Sequence, residues 1–373
     1  MSAARSLSIG IEADRMQANR FGIGRFLRES VEALRTEFPQ HQYALFTLPH
    51  RPNGFHRGAS PARLLRGAHR WLWLQTGLPH EAARRHVQVL FCPDYLAPFR
   101  PPCPLVVMVH DLVFRLHPQW GERVINWELA WCLPAVIRRA ARLVTPSASS
   151  RHALLEAMRC PPERVVVVPE GVGALFRPLP ADQVYPTLAR YRLEQVPFLL
   201  SVGTWSPRKN LARLLQAFAA LRSWYPGRLV LVGGGGWSRR PVEEAISAYG
   251  VADRVDVVGF VPDEDLPALY NGAELFAFPS LYEGFGLPIL EAMACGCPVV
   301  TSNASSMPEV AGEAAVLVDP LSVGDLTAAL RGMLQDQGRR ERYHDAGLTR
   351  AGHFRWAATA AALEGVFREV CSS

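Results

Sequence analysis

Twelve short runs rich in valine, leucine and isoleucine recur along this chain, and longer amphipathic stretches separate them. An apolar run of four to six residues without polar alternation is buried on both faces, which is the condition of a strand in a parallel sheet covered by crossover helices. The first six runs fall at residues 7–12, 43–47, 88–91, 105–109, 143–145 and 164–168. The other six fall at 198–202, 228–232, 255–259, 275–278, 298–301 and 315–318. Two groups of six predict an α/β protein with two sheets, each doubly wound. Residues 169–197 between the groups are rich in proline and read as irregular.

Length and composition agree with two domains. At 373 residues the chain can bury two cores, and 49% hydrophobic with 20% charged residues describes a folded globular protein. No apolar run approaches the roughly 20 residues of a membrane span. The short apolar stretch after Arg5 is broken by Ser6, Ser8 and Gly10, so no signal peptide is expected and the protein is assigned to the cytoplasm. Seven cysteines without a Cys-x-x-Cys pair exclude a zinc ribbon and read as small hydrophobes. The net charge of +6 is uneven: 23 bases face 14 acids through Tyr185, and 17 face 20 beyond it. A basic first half attracts anionic lipid headgroups or a phosphate-bearing acceptor. Nucleic acid is excluded as a partner, since no finger spacing, RNP run or lysine-rich arm is present.

In open α/β sheets ligands collect beyond the carboxyl ends of strands, so loops that follow strands carry the chemistry. The loop after the run at 198–202 contains Gly203, Thr204, Arg208, Lys209 and Asn210 and opens a helix whose apolar face is Leu211, Leu214, Leu215, Phe218 and Leu221. Asn210 is expected to cap that helix with its side chain. Arg208 and Lys209 then lie where two cations and backbone N–H groups can meet one anion, and a pyrophosphate fits. The chain has 40 basic residues, and Lys209 is its only lysine.

The second loop carries Glu283, Gly284, Phe285, Gly286, Leu287 and Pro288, and Glu291 follows within a short helix that Gly296 terminates. The glycines let the backbone approach a ligand closely, and the two carboxylates can each accept from vicinal hydroxyls of a hexose or a ribose. Phe260 and Val261, after the run at 255–259, complete the expected donor-facing set.

These motifs resemble those of glycosyltransferase family 4, whose members share the GT-B fold of two doubly wound Rossmann-like domains facing a central cleft. The pair Glu283 and Glu291 matches the family's Glu-x7-Glu signature, and residues 203–211, 231–235 and 308–312 resemble its other motifs, as do 21–26 and 109–111 more thinly. The look is nearest to bacterial mannosyltransferases of O-antigen and exopolysaccharide assembly. The resemblance implies an acceptor-side domain at 1–170, a linker at 171–197 and a nucleotide-sugar domain at 198–355, with the helix at 356–373 packing back on the first domain. It implies a retaining transferase in which Arg208 and Lys209 neutralise the donor diphosphate, Glu283 contacts the donor sugar and Glu291 holds the ribose. His110 then stands beside the donor sugar, and Gly22 and Gly24 belong to a loop closing over the phosphates. GDP-mannose is the implied donor, a saccharide or lipid-linked saccharide the acceptor, and an anionic inner membrane a peripheral contact; no cofactor and no metal are expected.

Other readings are weaker on residue grounds. The patterns at Gly22 and at residues 233–236 lack the third glycine of a dinucleotide fingerprint. Asp263, Glu264 and Asp265 imitate a metal-binding Asp-x-Asp, yet they precede Leu266, Leu269 and Tyr270 as a helix cap does. A pyridoxal enzyme needs a Schiff-base lysine, and the one lysine is already assigned. A UDP-sugar hexosyltransferase and a nucleotide-sugar epimerase of similar architecture remain the alternatives.

Overall fold

A computed structural model describes residues 6–18, 22–48, 61–234 and 239–372. The chain divides into two compact units, residues 1–169 with 356–373 and residues 170–355.

The first unit holds a six-stranded parallel sheet of β1 (Ser8–Glu12), β2 (Gln42–Phe46), β3 (Val89–Cys92), β4 (Leu105–Met108), β5 (Arg142–Thr145) and β6 (Val165–Val167). Their order is β2-β1-β3-β4-β5-β6, so the winding reverses between β1 and β3. Every residue of β3 and β4 is buried, which explains the unbroken apolar sequence of both. Helix Ile23–Glu37 sets Phe26, Leu27, Val31 and Leu34 into the core. The final helix, Trp356–Ser372, buries Trp356, Ala360, Leu363, Phe367 and Val370, one stripe at helical spacing. Its Trp356 packs edge-on to Phe26 with ring centroids 5.9 Å apart, and Phe367 lies 5.6 Å from Phe91. Thr359 Oγ1 donates to Pro169 O at 2.7 Å.

The second unit repeats the plan with β7 (Phe198–Val202), β8 (Arg228–Val232), β9 (Val255–Gly259), β10 (Leu275–Phe278), β11 (Val299–Ser302) and β12 (Val316–Val318). All pairs are parallel in the order β12-β11-β10-β7-β8-β9. The winding therefore reverses between β7 and β10, and a crevice at their carboxyl ends is the place such a sheet offers a ligand.

Residues 171–197 are more ordered than an irregular linker. Helix Ala181–Arg190 forms there with Pro180 as its N-cap and Pro186 inside it. It buries Thr187 and Leu188. Asn271, in helix Leu266–Gly272, clasps the approach to it: its Oδ1 accepts from Leu179 N at 2.8 Å and its Nδ2 donates to Arg177 O at 3.0 Å. Of the prolines that argued for a loop, Pro180 holds the cap and Pro186 is tolerated inside the helix, while Pro169, Pro178 and Pro197 lie outside it; tertiary packing supplies the helix.

Candidate active site

The loops after β7 and β10 meet at the winding reversal of the second sheet. From Val202 the chain passes through Gly203 into a 3-10 turn, Pro207–Lys209, and then through Asn210 into helix Leu211–Ala219. Asn210 holds the cap position, but its side chain makes no capping bond, contrary to expectation. Its backbone is left-handed at φ 60°, away from the extended geometry that side-chain capping uses. The carboxamide reaches across instead, with Nδ2 donating to Pro279 O at 3.0 Å and Pro320 O at 2.7 Å. Leu281 N donates to Arg208 O at 2.7 Å, and Arg208 Nη1 donates to Tyr282 O at 3.2 Å. The cap residue has become a clip between the two loops.

Glu283 lies at the centre of this join. Lys209 Nζ donates to its Oε1 at 2.6 Å, and Arg208 Nη1 donates to its Oε2. Lys209 also stands 4.4 Å from the centroid of the Phe278 ring, a cation–π contact. Lys209 and Glu283 are both buried. Burial by itself raises the Glu283 pKa, but the charges of Arg208 and Lys209 outweigh it and hold the carboxyl at about 2. Two cations thus share one ionised carboxylate. The Glu283 backbone is pinned as well: its N–H donates to Ser305 Oγ at 3.2 Å, and Ser306 Oγ lies 3.0 Å from Glu283 O and 2.6 Å from Phe285 O.

Gly286, at φ 122°, turns the chain into helix Leu287–Ala294, with Pro288 in its first turn. Glu291 is buried within that helix and accepts from Tyr270 Oη at 3.0 Å on Oε2. The loop after β8 presses on the one after β7: a Cβ added at Gly233 would sit 2.0 Å from Gly203 O. A small cavity beside Lys209 is lined by Gly203, Thr204, Trp205 and Phe278.

The other expected residues are distributed as follows. Gly284 and Phe285 stand in the same loop as Glu283, Phe285 edge-on to Phe354 with centroids 5.8 Å apart, and Leu287 begins the helix. Phe260 is exposed, whereas Val261 is wholly buried, so the fold presents Phe260 and not Val261 at the surface. Asp265 occupies an N-cap position without capping, a second departure from expectation. Its backbone is helical there, and its carboxylate accepts from Arg190 at 2.6 Å and Tyr191 Oη at 2.8 Å instead. Among the described residues no cluster of three or more His, Cys, Asp or Glu side chains is disposed around a common metal position.

In the first unit, His110 follows β4, and its Nε2 lies 2.8 Å from Pro93 O. A carbonyl only accepts, so Nε2 carries the proton. Phe26 packs edge-on to the imidazole at 5.1 Å. Gly22, at φ 53°, precedes helix Ile23–Glu37, and Gly24 lies inside that helix, not in a loop. Residue 21 is outside the described residues.

The sequence reading passed over a buried charged cluster at the winding reversal of the first sheet. Glu12 ends β1, Asp14 follows it and Asp94 follows β3, and all three are buried. Arg70 approaches them at 4.0, 3.7 and 3.2 Å respectively, and Arg15 donates to Asp94 at 2.6 Å. Burial pushes Glu12 up to about 7, partly opposed by Arg70 and reinforced by Asp94 and Asp14. The available signal was an acid at the end of an apolar strand or just beyond it, at Glu12 and again at Asp94.

Comparison with known proteins places these features. Residues 22–174 match the family described as Glycosyltransferase Family 4, and residues 190–350 match Glycosyl transferases group 1. The chain is 36% identical over 255 residues to O-antigen chain mannosyltransferase B of Escherichia coli, covering 67% of this chain and 66% of that protein. It is 34% identical over 288 residues to the serotype-specific mannosyltransferase WbdA of Escherichia coli, covering 73% of this chain but only 34% of that longer protein. Its fold is similar to that of sucrose-phosphate synthase from Thermosynechococcus elongatus, with a TM-score of 0.78 at 22% identity over 99% of this chain and 100% of the other.

Proposed function

The chain belongs to glycosyltransferase family 4 and has the GT-B fold, and from that premise we propose that it is a retaining, metal-independent mannosyltransferase of surface-polysaccharide synthesis. GDP-mannose is the proposed donor and a saccharide or lipid-linked saccharide the acceptor. The observation that carries the reading is the buried cluster in which Arg208 and Lys209 flank Glu283 at the reversal between β7 and β10. The mannosyltransferases that the chain resembles support the choice of sugar.

The chemistry follows from the charges. As the bond between the sugar C1 and the diphosphate oxygen breaks, negative charge grows on the diphosphate and positive character on the ring. Fixed cations at the leaving group lower that barrier without the reorganisation water requires. Arg208 and Lys209 take that part. Glu283 faces the sugar, where a carboxylate favours a cationic ring, and Glu291 receives ribose hydroxyls from a helix that fixes its position. The acceptor oxygen forms its bond to C1 on the face the diphosphate leaves, and its proton passes to a departing phosphate oxygen. His110 is proposed to contact the donor sugar, with its ring held by Pro93 and Phe26. The arginine excess through residue 185 adds a peripheral contact with an anionic membrane.

A thermal-shift panel of GDP-mannose, GDP, UDP-glucose and UDP tests the donor, because a ligand of the native state raises its melting temperature. GDP-mannose and GDP are expected to stabilise the protein most, and turnover with an O-antigen-type acceptor is expected to persist in excess EDTA. Stabilisation by uridine nucleotides alone overturns the choice of donor, and turnover that returns only with added manganese overturns metal independence.

A further inference from the structure

Helix Arg123–Arg139 in the first unit carries an apolar stripe turned to solvent. Val124, Trp127 and Trp131 stand 63%, 71% and 61% exposed, at the i, i+3 and i+7 spacing that puts them on one face. A helix of a globular protein ordinarily buries such a stripe and wets the opposite one. Here Leu133, Val136 and Ile137 face the core, and the two tryptophans face outward as well. Trp131 is buttressed by Phe99, with ring centroids 6.2 Å apart, so it is held out rather than folded down. Arg123 begins the same helix, and Arg138, exposed, continues the stripe two turns beyond Trp131.

We propose that this face of helix Arg123–Arg139 is a docking surface for the interfacial layer of an anionic phospholipid bilayer. Tryptophan favours the boundary between headgroup and acyl chain, where its apolar body is buried and its N–H stays hydrated. The aliphatic Val124 reaches the acyl side, and the arginines meet lipid phosphates. The combination separates a bilayer from other occupants: a polysaccharide gains little from exposed aliphatic side chains, and a second copy of this basic chain would bring arginines against arginines. No helix among the described residues is long and apolar enough to cross a membrane, so the contact is with its surface. This inference rests on the membrane contact proposed above and gives that contact a place.

The test is co-sedimentation of the full chain with vesicles of phosphatidylcholine alone and with 30% phosphatidylglycerol, at low and high salt, as about one lipid in three is anionic in the second case. The wild type is expected to bind the anionic vesicles and to release at high salt. The double variant Trp127→Ser, Trp131→Ser keeps the fold, because both side chains are exposed, and its half-saturating lipid concentration is expected to rise about tenfold or more. Equal binding by variant and wild type overturns this face while leaving the arginine-driven contact intact. No binding of the wild type to either vesicle overturns both. A concentration-dependent dimer in sedimentation velocity that the double variant abolishes identifies a second copy as the occupant and overturns the bilayer.

Discussion

Lys209 Nζ and Glu283 Oε1 lie 2.6 Å apart, which joins the chain's only lysine to the first glutamate of its Glu-x7-Glu motif. The resemblance to glycosyltransferase family 4 implies different parts of a donor for these two residues, phosphate for one and sugar for the other. In the fold they are one electrostatic unit with Arg208. Under the proposed donor model an arriving diphosphate would meet cations already held in place by a carboxylate, with little side-chain entropy left to lose on binding.

Lys209→Met keeps the length and apolar stem of the side chain and removes its charge. Turnover is expected to fall about a hundredfold, the ~3 kcal/mol typical of one lost contact to charge that grows in the transition state. The same substitution takes away one of the charges that hold Glu283 at about 2, so its pKa moves back toward 4.5. A depressed carboxylate stabilises the fold above its unfolded pKa and loses that contribution as pH falls through the folded one. Acid unfolding followed by circular dichroism should accordingly begin at higher pH in the variant. Unchanged turnover and an unchanged acid limb together contradict both assignments.

Glu12 offers a prediction of opposite sign. Its pKa stands near 7 in the fold against 4.5 for an ordinary glutamate, and its Oε2 meets no hydrogen-bond partner among the described residues. Between those two values the native state keeps a proton that the unfolded chain releases, so stability declines as pH rises through that window. Glu12→Gln carries no such charge and should melt higher than the wild type at pH 8, with the gain shrinking toward pH 5. Melting temperatures at both pH values measure it, and a gain independent of pH would mean that Glu12 is ionised throughout.

How far the sequence led can be judged from particular residues. All twelve strands lie within a residue or so of the apolar runs, because a parallel strand buried on both faces leaves a continuous apolar signature, as in β3 and β4. The strand-end loops were legible for the same reason: their polar residues follow directly on such runs. What stayed hidden depends on long-range pairing. Asn210 and Asp265 have cap-forming chemistry at cap-like positions, but Asn210 is drawn to Pro279 and Pro320, and Asp265 to Arg190 and Tyr191. The cluster of Glu12, Asp14 and Asp94 with Arg70 joins residues as many as 82 positions apart, and only the strand order brings them together. Tyr270 supports Glu291 from a neighbouring helix, a contact with no local signature.

Gly233 tests the packing of the donor loops. At φ 116° it occupies a conformation that side chains disfavour, and an added Cβ would meet the Gly203 carbonyl oxygen, which is backbone and cannot rotate aside. Gly233→Ala should lower the melting temperature, since strain of this kind costs on the order of 1–3 kcal/mol before the displaced Gly203 is counted. It should also weaken binding of a nucleoside diphosphate, because Gly203 shares the cavity beside Lys209. Melting curves with and without GDP separate the effects, and a variant that matches the wild type in both would place no demand on this close approach.

The two glutamates should fail in different ways, and Tyr270 makes the difference sharper. If Glu291 receives the ribose, Glu291→Gln weakens binding of free GDP, because the ribose is common to donor and product; a hydrogen bond to a charged group contributes ~1.5–3 kcal/mol, or about tenfold or more. Tyr270→Phe deletes only the hydroxyl that orients Glu291 and acts on the ribose through Glu291 alone, so it should cost less than the direct contact, about a few-fold in the same affinity. Glu283→Gln has another outcome. It removes the charge that Arg208 and Lys209 share, so both cations become more available to a diphosphate, and GDP should bind as well as before or more tightly. Turnover should nevertheless drop at least tenfold, since a carboxylate facing the sugar matters where the ring becomes cationic. Calorimetry with GDP beside steady-state rates resolves all three variants. Equal loss of GDP affinity in Glu283→Gln and Glu291→Gln would show that the two carboxylates serve the same part of the donor, and the division of roles between loop and helix would have to be abandoned.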